Sequence, residues 1–107
     1  MKTYTQRNEE GKLVGIEIAN SFISSHGMSR FIQRIKGSEM LQIRSLFSAD
    51  EIHVRFKFAG VKFIVWEPYG DNSRLWVGPD DDESVSEKEL AELRNCFEHT
   101  KRWSFLG

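Results

Sequence analysis

The segment 67–76 holds the densest set of side chains suited to binding. It reads Glu-Pro-Tyr-Gly-Asp-Asn-Ser-Arg-Leu-Trp, which combines a carboxylate, a phenol, a guanidinium and an indole. Tyr, Trp and Arg are the residues that dominate binding hot spots, so a partner-binding corner is predicted here. A structural role is the alternative, because Pro, Gly, Asp, Asn and Ser are turn residues and Trp76 could belong to the core. The candidate binding residues are Glu67, Tyr69, Asp71, Asn72, Arg74 and Trp76.

An acidic cluster follows this corner, formed by Asp80, Asp81, Asp82 and Glu83. Carboxylates just before a helix are stabilised by its dipole, so a solvated loop is one interpretation. The other is docking to a basic protein partner, where opposite charge speeds the encounter. A metal site is not predicted, because the spaced oxygen ligands and the glycine of a calcium loop are missing.

Basic residues mark a second candidate surface. The alternation of residues 52–58 places His53, Arg55 and Lys57 on one strand face, and Arg44 and Lys62 could join them from neighbouring strands. With Trp66 beside them, such a face could stack bases and hold phosphates. A solvated sheet face covered by long cationic side chains explains the same pattern, and nucleic acid is therefore the less favoured partner.

The remaining residues with reactive side chains suggest no chemistry. His26, His53 and His99 lack the spacing of paired metal ligands, and Cys96 lies on an apolar helix stripe, where a thiol usually acts as a small hydrophobe. No phosphate loop, nucleophile elbow or cysteine-pair motif is present. We therefore predict no catalytic residue, metal or cofactor, although an enzyme assembled from distant residues stays a third hypothesis.

Hydrophobic periodicity predicts the strands that must position these groups. Residues 13–19 and 52–58 alternate apolar and polar positions, which is typical of half-buried strands. Ala59 and Gly60 then indicate a tight hairpin, and the apolar run that follows indicates a central strand. The predicted strands are 13–19, 41–47, 52–58, 61–67 and 74–78.

Two helices complete the prediction. Met28, Phe31, Ile32 and Ile35 repeat at helical spacing, and whether this helix begins before Gly27 is left open. A capping box at 86–89 predicts the start of the second helix, whose apolar stripe includes Leu90, Leu93 and Phe97; residues 103–106 are expected to pack the tail onto the domain. The fold class is α+β, a mostly antiparallel sheet of four or five strands in the order β-α-β-β-β-(β)-α, with both helices on one face.

Length and composition limit the functions open to this chain. Its 107 residues carry 39% hydrophobic and 29% charged residues, which predicts one globular domain over 1–107. No apolar run approaches a membrane span, no secretory signal precedes the fold, and the single cysteine favours the reducing cytoplasm. The net charge of −1 also argues against a phosphate-binding protein. The sequence does not indicate an oligomeric state.

In size and general layout, this Cys-poor, acid-patched α+β domain resembles the small immunity proteins with which bacteria neutralise toxins delivered by contact. The resemblance covers the layout of the whole chain and rests on no motif. It implies a cytoplasmic, non-catalytic inhibitor with a protein partner, in which a basic toxin domain is bound by the corner and the acidic cluster. A nucleic-acid-binding domain is the alternative.

Overall fold

The computed structural model describes residues 2–19, 25–43, 52–67, 74–80 and 86–100. Within these ranges the chain forms six strands and two helices, which confirms the α+β class. In chain order the elements are β1 (Thr3–Arg7), β2 (Leu13–Ala19), α1 (Ser25–Gln33), β3 (Ser38–Ile43), β4 (Ile52–Phe58), β5 (Val61–Trp66), β6 (Arg74–Pro79) and α2 (Glu87–His99).

The six described strands form one sheet in the order β1-β2-β6-β5-β4-β3, and every neighbouring pair is antiparallel. The meander from β3 to β6 and the internal position of β5 agree with prediction. The predicted number of strands was too low because β1 was missed. Its sequence, TYTQR, lacks apolar alternation, and only Thr3 is buried.

Both helices pack on one face of the sheet, α1 against β3 and β4, and α2 against β2 and β1. They meet each other where the rings of Phe31 and Phe97 lie 5.2 Å apart. A single hydrophobic core lies between helices and sheet. Its largest fully buried members include Phe56, Phe63, Phe97, Ile16, Met28, Ile32, Leu75, Leu90 and Leu93. None of the described helices is both long and apolar enough to span a membrane.

One element boundary was left open by the sequence, and another differs from its prediction. Helix α1 begins at Ser25 and includes the buried Gly27, so it does begin before this glycine. The predicted strand over 41–47 begins earlier, at Ser38, because β3 pairs with β4 from Ser38 onward. Residues 44–47 lie outside the described ranges, as does the tail at 101–107.

The predicted hairpin is confirmed, and so is Ser86 as the N-cap of the second helix. Ala59 and Gly60 both have positive φ, 53° and 79°, as a two-residue turn between twisted strands requires. At the start of α2, the backbone N–H of Glu89 donates to the Ser86 hydroxyl at 3.3 Å. The Glu87 carboxylate also accepts a hydrogen bond from the backbone N–H of Leu13 at 2.7 Å, which fixes this helix end to the start of β2.

Candidate functional site

The candidate site lies on the face of the sheet opposite the two described helices, which we call the open face. Its residues alternate along each strand with those of the core. Cross-strand register aligns one row of this face across five strands, in the order Tyr4, Glu17, Trp76, Trp66 and Ile52. Four of these five side chains are apolar or aromatic, so the row is mostly hydrophobic, with Glu17 as its one charged member.

Trp76 lies across two glycines on this face. Ile16 of β2 pairs with Val77 of β6, and the strands are antiparallel. The next positions along the two strands are Gly15 and Gly78, so the two glycines face each other. A β-carbon built on Gly15 would lie 2.7 Å from three atoms of the Trp76 indole, and one built on Gly78 would lie closer still. The indole therefore rests directly on the backbone, in space that side chains would otherwise fill.

Trp66 stands beside Trp76 on the neighbouring strand. The ring centroids are 5.7 Å apart and the ring planes are inclined at 83°. This edge-to-face arrangement is one of the favoured geometries of aromatic pairs. Both indoles are half-buried. The Trp76 indole lies over the backbone of two glycines, and the plane of the Trp66 ring is nearly perpendicular to it.

An ion pair borders one side of these rings. A terminal guanidinium nitrogen of Arg74 donates to the Glu17 carboxylate at 2.9 Å. The Arg74 guanidinium also lies 5.3 Å from the centroid of the Tyr4 ring, and the Lys2 ammonium lies 5.6 Å from that centroid. Both distances are within the range of cation–π attraction. Arg74 is thus held by a carboxylate and an aromatic ring of the same face.

A second ion pair borders the other side. One terminal nitrogen of Arg55 lies 2.8 Å from each carboxylate oxygen of Asp80. Next to this pair, Lys57 faces Lys62 in the β4–β5 register and faces Glu39 in the β3–β4 register. Like charges directly opposite each other are unfavourable, so Lys57 and Lys62 repel each other across β4 and β5.

The prediction that His53 shares the face of Arg55 and Lys57 was wrong. A register irregularity between Ile52 and Val54 makes His53 an extra residue in β4, and its side chain is only 1% exposed. Its Nε2 lies 3.1 Å from a carboxylate oxygen of Glu67.

The structure separates the sequence-predicted binding residues. Arg74, Trp76 and Asp80 lie on the open face, whereas Glu67 lies against the buried His53. The alternative in which Trp76 belongs to the core does not hold, because its indole covers the opposite face. The other predicted residues, namely Tyr69, Asp71, Asn72, Asp81, Asp82 and Glu83, lie outside the described ranges, as does the basic candidate Arg44.

Sequence reasoning missed Tyr4, Glu17 and the two glycines under Trp76. Tyr4 and Glu17 are far in sequence from the corner and reach it only through the pairing of β1, β2 and β6. The glycines did carry a signal, because a glycine inside a strand often marks the close approach of another group. Gly15 lies inside the predicted strand 13–19, and Gly78 ends the predicted strand 74–78.

A small cleft lies on the other side of the sheet, between β1 and α2. It encloses about 220 Å³ and is lined in part by Arg7, Arg94, Asn95 and Glu98. Its volume is below the roughly 300 to 1,000 Å³ of ordinary ligand pockets. Nearby, the Thr3 hydroxyl donates to Glu98 at 2.6 Å and accepts from Arg94 at 2.9 Å, which links strand to helix.

Groups suited to metal binding or nucleophilic catalysis do not gather in the described ranges. No set of three or more His, Cys, Asp or Glu residues is placed there to hold a metal ion. Burial raises the pKa of the Cys96 thiol, and the nearby carboxylate of Glu92 raises it further. A raised thiol pKa lowers the thiolate fraction at neutral pH, which is the opposite of what a nucleophilic cysteine needs.

Comparisons with known protein families, curated proteins and solved structures gave no match.

Proposed function

We propose that this chain is a non-catalytic protein-binding module, a cytoplasmic inhibitor that neutralises a toxin, and that the open face is its docking surface. The observation that supports this most strongly is the aromatic centre formed by Trp66 and Trp76 between two ion pairs. Protein interfaces commonly have an apolar, aromatic centre and a polar rim. Arg and Trp are also enriched among the residues that contribute most of the binding free energy.

The ion pairs support docking because they restrain the charged side chains before any partner arrives. Arg74 is held by Glu17 and by the Tyr4 ring, and Arg55 is held by Asp80. A side chain already restrained loses less conformational entropy when a complex forms. The face therefore resembles a preorganised interface more than a surface of mobile solvated charges.

The same pairs disfavour nucleic acid. Phosphate binding needs cations that are free to replace counterions, whereas Arg55 and Arg74, the arginines of this face within the described ranges, each hold a carboxylate. The two indoles are also inclined at 83° to each other, so a run of parallel stacked bases does not match them. A protein with a complementary apolar centre fits better.

The acidic cluster keeps a secondary role in this proposal. Asp80 is engaged by Arg55, so steering of a basic partner would depend on Asp81, Asp82 and Glu83. Exposed charges act mainly on the rate of encounter and are screened by salt. Neutralising these three residues together should therefore slow association and flatten its salt dependence, with little change in dissociation.

The experiment is affinity capture followed by binding measurements with the purified partner. Tagged wild-type protein, Trp66→Ala and Lys88→Ala serve as baits; Lys88 is an exposed position on α2 and provides the matched control. We expect wild type and Lys88→Ala to retain the same protein. Loss of a central aromatic anchor typically costs 2 kcal/mol or more, so Trp66→Ala should weaken binding by roughly 30-fold, mostly through faster dissociation.

Inhibition is tested separately. The captured protein is expressed in cells with and without this chain, and growth is measured. The inhibitor proposal predicts that growth stops with the captured protein alone and is restored by wild type but not by Trp66→Ala. A partner that binds wild type and Trp66→Ala equally well would exclude the open face as the docking surface.

The facing pair Lys57 and Lys62 supports nucleic-acid binding as a second candidate function. A single-stranded oligonucleotide titrated at several salt concentrations distinguishes the two functions. Electrostatic binding falls steeply with salt, and its slope decreases when a lysine that contacts phosphate is removed. Salt-dependent binding that is lost in a Lys57→Ala, Lys62→Ala double variant would favour nucleic acid over a protein partner.

A further inference from the structure

The cleft between β1 and α2 is lined by side chains from both elements. On the strand side these are Thr5 and Arg7 of β1, together with Leu13, which pairs with Arg7 at the start of β2. On the helix side the lining residues are spaced at i, i+3, i+4 and i+7, so they lie along one stripe of α2. They are Ala91, Arg94, Asn95 and Glu98.

Two guanidinium groups and one carboxylate line this cleft. The Nε of Arg94 donates to the Thr3 hydroxyl at 2.9 Å, and a terminal nitrogen of the same group lies 3.4 Å from the Glu98 carboxylate. Arg7 donates to the carbonyl oxygen of Gly11 at 2.9 Å, and no carboxylate within the described ranges pairs with it. The lining therefore carries a net charge of +1, because it holds two cations and one anion.

These guanidinium groups have donors left for an oxyanion. A guanidinium carries five N–H groups in a planar fork. Among the described residues, Arg7 makes one polar contact and Arg94 makes two. Such a fork binds a carboxylate through two parallel, charge-assisted hydrogen bonds. We propose that this cleft binds a small organic acid and that Arg7 and Arg94 hold its carboxylate.

The size and the apolar part of the lining favour a short aliphatic acid. At roughly 30 Å³ for each water-sized group, the volume of about 220 Å³ admits about seven such groups. Larger ligands occupy pockets of roughly 300 Å³ or more. Leu13 and Ala91 provide apolar surface for a short hydrocarbon chain. A dianion such as phosphate fits less well, because the Glu98 carboxylate in the same lining repels each added negative charge.

The test is an NMR titration of the whole chain with butyrate, followed through the backbone amide signals of Thr5, Ala91 and Asn95. Butanol has the same hydrocarbon chain without the charge, and inorganic phosphate has the charge without the chain. All titrations are made at constant pH and ionic strength. We expect saturable shifts with butyrate in the millimolar range, weaker binding of phosphate and no saturation with butanol.

Three variants separate the cleft from general effects of charge. Arg7→Gln removes a guanidinium from an exposed position and should weaken butyrate binding roughly tenfold or more, because a hydrogen-bonded charge is lost. Ala91→Glu brings a second carboxylate into the lining and should abolish binding. Lys36→Gln is the matched control: it removes one positive charge at an exposed position between α1 and β3, at the opposite edge of the sheet, and should leave the affinity unchanged.

Saturable butyrate binding that weakens in Arg7→Gln and Ala91→Glu but not in Lys36→Gln supports the inference. Equal affinity in wild type and Arg7→Gln would overturn it, and if that variant does not fold, equal affinity in Ala91→Glu would do the same. Phosphate binding as tight as butyrate, saturation by butanol, or no saturable shift with any probe would each contradict a carboxylate site. None of these results bears on the proposed function, whose docking surface lies on the other side of the sheet.

Discussion

The Trp76 indole occupies the space that a β-carbon of Gly78 would fill. The two residues are neighbours on the same face of β6, two positions apart. Position 78 therefore needs a glycine because of the Trp76 indole. The strand itself does not require one, since β6 is regular and pairs with β2 and β5 on both sides.

We therefore expect Gly78→Ala to be destabilising only while Trp76 is present. Overpacking of this kind typically costs about 1 to 3 kcal/mol. In a Trp76→Ala background, the same change should be neutral or stabilising by about 0.5 to 1 kcal/mol, because alanine is less flexible than glycine. Urea denaturation of the four proteins in this cycle measures the coupling. If the changes in the free energy of unfolding were simply additive, the indole would not rest on Gly78.

Phe56 and Lys57 are adjacent residues of β4 that should respond oppositely to truncation. Phe56 is fully buried and stacks on Phe63 with centroids 5.6 Å apart, so Phe56→Ala should cost about 3 to 5 kcal/mol. Lys57 lies on the open face, and Lys57→Ala should change stability by no more than about 0.5 kcal/mol. Chemical denaturation of both variants provides the measurement, and similar losses would contradict the register of β4.

The contrast within β4 shows what the sequence could predict. The alternation from Val54 to Phe58 was readable because each apolar residue has polar neighbours. The position of the His53 side chain could not be predicted, because it depends on an extra residue in β4 relative to β5. A shift of one residue moves a side chain from one face of the sheet to the other. Local pattern thus predicted the strand but not the irregularity at its start.

The candidate site was only partly predictable for a similar reason. Trp76 and Arg74 were recognised because aromatic and guanidinium groups stand out in a turn-rich segment. Tyr4 and Glu17 were not, because β2 pairs with β6 across more than fifty residues of sequence, and no local pattern specifies such a contact. Strand β1 could not be predicted from hydrophobic periodicity, because it is an edge strand that buries little apolar surface.

Ala59 offers a stabilising substitution. Its φ of 53° lies in the left-handed region, which is unfavourable for a residue with a β-carbon, and Gly60 follows it in the same turn. Asn tolerates this conformation better, and Asn-Gly is the preferred sequence for this turn. We expect Ala59→Asn to raise the free energy of unfolding by about 0.5 to 1 kcal/mol in urea. A loss of stability would show that the turn has another geometry in solution.

Ser86 should have a purely structural role. Its hydroxyl accepts the backbone N–H of Glu89, so Ser86→Ala leaves a helix donor without its cap and should cost about 1 kcal/mol. Ser86→Asp keeps an acceptor at this position and serves as the control. Binding of the captured partner should be the same for all three proteins. Unchanged stability in Ser86→Ala would contradict the start of α2 at this cap.

Glu98 should contribute a pH-dependent part of the stability. The hydrogen bond from the Thr3 hydroxyl lowers the pKa of this carboxyl, and the positive charges of Arg94, His99 and the N-terminus lower it further. Because the pKa of Glu98 is lower in the folded state, the unfolded chain binds the proton more readily as the pH falls. Glu98 therefore stabilises the fold fully above the ordinary glutamate pKa of about 4.3. This stabilisation is lost as the pH falls through the folded pKa.

Thr3→Val removes the hydroxyl and nearly preserves the shape of the side chain, whereas Thr3→Ser keeps the hydroxyl as the control. We expect the pKa of Glu98 to rise in Thr3→Val, and NMR titration of its carboxyl carbon measures this directly. In urea denaturation at a series of pH values below 5, Thr3→Val should lose stability less steeply than wild type, and Thr3→Ser should follow wild type. If the pKa of Glu98 were the same in all three proteins, the hydrogen bond from the Thr3 hydroxyl would not be what lowers it.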